Sequence, residues 1–172
     1  MVAKPFGRTH AWLQGAGSEQ RHEYGEGLSY SRFIYHSLQA TRTHASDDIE
    51  LSVKVTNAGR GNSWTKPTDE VVLVFATWQI NRNADFAGRV PVRQLVAFER
   101  LRQVLANETR QWKVTILAKD YALVNASGAK VLPAGNLTLF VGGHQPTPKS
   151  NKAAGTVCVN ATLSIERASK AY

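Results

Sequence analysis

Paired Asp and Glu side chains can serve as general acids, bases or nucleophiles, so the chain's 13 acidic residues are the first place to look for chemistry. The candidates are Asp47-Asp48-Glu50, Asp69-Glu70 and the lone Asp120. Asp47 and Asp48 precede an alternating segment and read as an exposed turn. Asp69 and Glu70 read as a turn and strand cap, and Asp120 as a loop acid. None of these settings marks a raised pKa. Ser29, in Gly-Glu-Gly-Leu-Ser-Tyr-Ser, lacks the Gly-x-Ser-x-Gly elbow and its strand–turn–helix context. Gly25 and Gly27 precede no helix whose N-terminus could hold a phosphate. Cys158 is the single cysteine, which rules out an intramolecular disulfide and a Cys-based zinc site. It is expected as a non-catalytic thiol on the polar face of the last strand. His10, His22, His36, His44 and His144 lie in separate segments without metal-ligand spacing. The sequence therefore predicts no catalytic residue, no metal site and no cofactor.

Two other residue types remain. Asn107, Asn125, Asn136 and Asn160 each open an Asn-x-Ser/Thr sequon, four of nine asparagines where chance would give about one. Glycosylation requires the secretory pathway. The N-terminal stretch has no apolar h-region, so the signal is expected on a longer parent protein. Four tryptophans could stack on sugar rings. Trp78 and Trp112 have core parity, whereas Trp64 sits in the loop Gly-Arg-Gly-Asn-Ser-Trp-Thr-Lys-Pro.

The elements that must carry these residues are strands. In Asp-Ile-Glu-Leu-Ser-Val-Lys-Val-Thr-Asn, residues 48–57, Ile49, Leu51, Val53 and Val55 share one face and polar residues the other, the pattern of a half-buried antiparallel strand. Asn57-Ala58-Gly59 ends it as a turn. Val71–Trp78 is apolar on both faces and predicts a central, covered strand. Pro91–Leu101 reads as an edge strand headed by proline. Gln111–Ala118 alternates with Trp112, Val114 and Ile116 inward. Tyr121–Leu132 reads as two short strands about an Asn-Ala-Ser-Gly turn. Asn136–Gly143 and Thr156–Glu166 complete the set. On this parity all four sequon asparagines are expected at the surface. About seven to eight strands, with turn signals between them and no amphipathic helix, predict an all-β, immunoglobulin-like antiparallel sandwich.

Six blocks in order extend this reading: Gly-Arg-Thr-His at 7–10, Glu23–Tyr35, Val53–Gly59, Asp69–Trp78, Pro91–Leu101 and Ala134–Pro146. Their sequence and spacing resemble the C-terminal region of family-three glycoside hydrolases over residues 6–165, nearly the whole chain. Gly25-Glu26-Gly27-Leu28-Ser29-Tyr30 with Phe33 matches the family's lead-in, and Leu95–Arg100 its Leu-x-Gly-Phe-x-Arg block with Ala97 in place of glycine. His10 stands where the family has tyrosine, and Glu23-Tyr24 where it has Pro-Phe.

The resemblance implies a fibronectin type III-like domain of a β-xylosidase- or β-glucosidase-type enzyme. It implies a catalytic barrel carrying the nucleophile, and an α/β domain carrying the acid/base, as partners outside this chain. Residues 1–22 are then a connecting segment, 23–168 the sandwich and 169–172 a tail. Tyr24, Leu28, Tyr30 and Phe33 become the contact with other domains. A free-standing sugar-binding sandwich, contacting an oligosaccharide through Trp64 and His144, is the alternative function.

The net charge of +8 is dispersed rather than gathered in an arm, and no nucleic-acid module is present, so nucleic acid is not expected as a partner. No stretch approaches the about 18 apolar residues of a membrane helix. The parent protein is expected to be secreted.

Overall fold

Ile49–Asn57 (β2) buries every second residue, as its alternation requires. It lies between Phe33–Arg42 (β1) and Thr109–Ile116 (β5) in a three-stranded antiparallel sheet, with Val55 opposite Tyr35 and Val53 opposite Trp112. A bulge interrupts β1 between His36 and Gln39, where Ser37 takes φ 55°. The computed structural model describes residues 24–59, 66–80, 86, 90–146 and 159–166.

The second sheet has four strands. Thr68–Ile80 (β3) pairs with Gln94–Val104 (β4) on one side and Gly135–Gly142 (β8) on the other, and Val159–Ile165 (β9) closes the far edge. A four-residue helix, Ala118–Tyr121 (α1), follows β5. Leu123–Val124 (β6) and Lys130–Val131 (β7) form a small hairpin about the Asn125 turn.

The sandwich is thus a three-stranded sheet facing a four-stranded one. Its core takes Val72, Val74, Ala76 and Trp78 from β3 and Leu137, Leu139 and Val141 from β8, against the inward faces of β1, β2 and β5. Trp78 stacks on Tyr121 and donates its indole N–H to the Tyr121 carbonyl at 2.9 Å, so its polar atom is satisfied where it is buried. Asn57 is wholly buried. Its amide donates to Val104 O and its Oδ1 accepts from Gly59 N–H, both at 2.9 Å. These bonds fasten the end of β2 to the end of β4.

The predicted all-β antiparallel sandwich is what forms. Among the described residues, seven strands build the two sheets, and the β6–β7 pair stands apart. Two strand residues sit differently from the sequence reading. Val71 is 43% exposed, because its side chain points to the outer face of the four-stranded sheet rather than to the core. β1 opens at Phe33, so the lead-in before it belongs to neither sheet. Phe33 itself, expected at a domain contact, is only 2% exposed, because as the first residue of β1 it points between the sheets.

Candidate functional site

The segment from Tyr24 to Arg32 is fixed at both ends. At its start, the Tyr24 carbonyl accepts from Gln145 N–H at 2.7 Å. The Tyr24 ring meets Phe75 edge-on, with centroids 6.1 Å apart. Gly25 takes φ +84°, and a Cβ there would lie 2.6 Å from the Gly143 carbonyl oxygen and 2.9 Å from Leu73 Cδ1. Only glycine fits so close an approach. At its end, Ser31 Oγ bonds Thr68 Oγ1 at 2.9 Å, and Arg32 exchanges backbone bonds with Ala58 and Gly59. Between these anchors Leu28 is fully exposed and Tyr30 largely so. Leu73 and Phe75 point away from the core, so the lead-in lies on the outer face of the four-stranded sheet.

A polar cluster sits beside this crossing. The fully buried Tyr35 donates its hydroxyl proton to Glu70 Oε1 at 2.5 Å. Gly143 leaves room for that carboxylate, since a Cβ would stand 2.5 Å from Oε1. Burial pushes the Glu70 carboxyl above its ordinary range, against the opposing pull of the Tyr35 hydrogen bond and the nearby His144. This perturbation escaped the sequence reading, which placed Glu70 in a turn and cap. Nothing in its neighbours' identities reveals that Tyr35, 35 positions away, will cover it. Next along the chain, Gln145 is wholly buried, and Arg93 donates to the Pro146 carbonyl at 2.8 Å.

Four other carboxylates brace the fold. Asp69 pairs with Arg100 at 2.8 Å and accepts from Gln103 N–H at the same distance; that backbone bond, foremost, lowers its pKa. Arg110 does the same for Glu108. Asp47 pairs with Arg42, and its carbonyl accepts from the Tyr121 hydroxyl. Asp48 accepts from Ala118 N–H at 2.8 Å. Asp47 and Asp48 are therefore half-buried rather than a free turn.

Tyr24, Leu28 and Tyr30 fall together on the lead-in, while Phe33 leaves the group for the core. His144 is half-buried beside Gly143, with Nδ1 3.0 Å from the Gln145 carbonyl. Trp64 and Cys158 lie outside the described residues. Asn107 is exposed in the β4–β5 turn with φ 65°. Asn125 is half-buried, its Oδ1 accepting from Ser127 and Ala129 within its own turn. Asn136 and Asn160 are both exposed on the outer face of β8 and β9.

The three-on-four sandwich is a fibronectin type III-like one, and residues 70–145 match the family model of the fibronectin type III-like domain. The curated relatives are β-xylosidases. An exo-1,4-beta-xylosidase of Aspergillus awamori is 30% identical over 150 residues, 77% of this chain and 18% of that protein. A putative beta-xylosidase of Formosa agariphila is 28% identical over 121 residues, covering 69% of this chain and 15% of that protein. Among solved structures, the fold matches beta-glucosidase 3B of Thermotoga neapolitana with a TM-score of 0.65 at 21% identity, over 87% of this chain and 18% of that one. The chain thus spans less than a fifth of the length of the relatives it matches. The resemblance to β-xylosidase- and β-glucosidase-type glycosidases read from the sequence blocks is borne out.

Proposed function

We propose that this chain acts as the non-catalytic fibronectin type III-like domain of a β-xylosidase-type glycosidase. In this reading it contributes to hydrolysis by supporting a catalytic barrel and an α/β domain, and carries no reacting group itself. The observation behind it is that enzymes about five times longer share this stretch and this fold. Glycoside hydrolysis needs two carboxyl groups on either side of the scissile bond. Here Asp69, Glu108, Asp47 and Asp48 are each engaged in holding turns or strand ends. Residues 1–22 then serve as the connection from the α/β domain, 23–168 as the sandwich and 169–172 as a tail. Tyr24, Leu28 and Tyr30 supply the contact with the other domains. The four sequon asparagines are glycan acceptors of a secreted parent.

Incubating the purified chain with aryl β-xylosides and aryl β-glucosides should give no turnover. Hydrolysis that disappears on replacing one Asp or Glu would overturn this reading.

A further inference from the structure

The outer faces of the two sheets differ. On the three-stranded sheet, cross-strand rows such as His36, Lys54 and Gln111 are polar, as suits a face turned to water. On the four-stranded sheet the face is divided. Its β8–β9 half carries Asn136 and Asn160, and the third residues of their two sequons, Thr138 and Thr162, are cross-strand neighbours with hydroxyls 3.1 Å apart. Its β3–β4 half carries Val71, Leu73 and Phe75, and Phe98 stands opposite Leu73. The lead-in shelters Leu73 and Phe75, but Phe98 remains 70% exposed. A large aromatic at mid-strand on an edge strand, with an exposed valine on the neighbouring strand, marks a contact surface. The Asp69–Arg100 ion pair beside it supplies a polar margin, as at protein–protein interfaces.

We propose that this β3–β4 half, centred on Phe98, is the seat of a catalytic domain of the glycosidase, and that the β8–β9 half faces solvent. The occupant is argued from length: the matching segment makes up 18% of the Aspergillus awamori relative, so most of such an enzyme lies beyond it. The orientation is argued from chemistry: bulky hydrated glycans on Asn136 and Asn160 fit water and not a packed interface. The inference rests on the domain reading above.

The test is to substitute this chain for the matching segment of that xylosidase. The wild-type chimera is compared with Phe98→Ser and with the double variant Asn136→Gln/Asn160→Gln, by the half-life of aryl-xyloside hydrolysis on heating. Phe98→Ser should shorten the half-life about tenfold, the effect of losing one interface anchor. The asparagine variant should match the wild-type chimera. In the isolated chain, Phe98→Ser should leave the unfolding midpoint in place, which separates docking from folding. A wild-type chimera without activity would remove the domain reading itself. An active chimera indifferent to Phe98→Ser would overturn the docking face alone. So would self-association of the isolated chain that Phe98→Ser abolishes while the chimera is unaffected, since a second copy would then be the occupant.

Discussion

Glu70 gives the sandwich a pH dependence that can be read at one residue. Its folded pKa lies above the ordinary value of 4.5, chiefly through desolvation. Between those two values the folded state holds a proton that the unfolded state has released. Stability therefore falls as pH rises from about 4.5 through the raised value, and is greatest below that window. Glu70→Gln keeps an acceptor for the Tyr35 hydroxyl but cannot ionise. Urea unfolding across the acid range should show the wild type losing stability relative to this variant as pH rises. Parallel curves for the two proteins would exclude Glu70 as the source. Asp69 and Glu108, with lowered pKa values, act in the opposite sense, losing their contribution as pH falls. Both remain partly open to solvent, so their effect is screened, and the difference between the two proteins cancels it.

The element with most at stake is the lead-in, because one backbone conformation holds it on the sheet. Gly25→Ala meets both a left-handed φ and a carbonyl 2.6 Å from the new methyl. The conformational part alone costs about 1–2 kcal/mol. The expected result is local: the Gln145 amide, which donates to Tyr24 O, should lose hydrogen-exchange protection while amides of β2 and β3 keep theirs. Uniform loss of protection would show that the lead-in is part of the cooperative core instead. β2, β5 and β9 alternate as the sequence pattern requires, since each has one face on the core. The lead-in has no such period to read, because Tyr24 and Gly25 at its start rest on Leu73, Phe75 and Gly143, all more than 45 positions away.

At the scale of the molecule, the aromatic and aliphatic residues near the start of the described chain separate into two roles. Leu28→Ser removes a side chain that touches water, so its unfolding free energy should stay within about 0.5 kcal/mol of wild type. If the outer face is uncovered in the isolated chain, the same change should reduce self-association in sedimentation. Phe33→Ala empties a place between the sheets and should cost about 3–5 kcal/mol in urea unfolding. Equal destabilisation by the two variants would put Leu28 in the core and remove it from the contact surface.

The strand alternation, the turn residues and the six blocks were enough to determine an antiparallel fibronectin type III-like sandwich and its likeness to β-xylosidases. Period-two burial is written directly into residues such as Ile49, Leu51, Val53 and Val55. Which side of a doubly apolar strand meets the core is not written locally. Val72 and Val71 are the same residue type, and only the packing of one sheet on the other makes the first buried and the second exposed. For the same reason, tertiary structure alone placed Phe33 inside, left Phe98 outside, and closed Tyr35 over Glu70. Each outcome depends on which distant strand arrives opposite, and pairing register across tens of residues is set by the whole core at once.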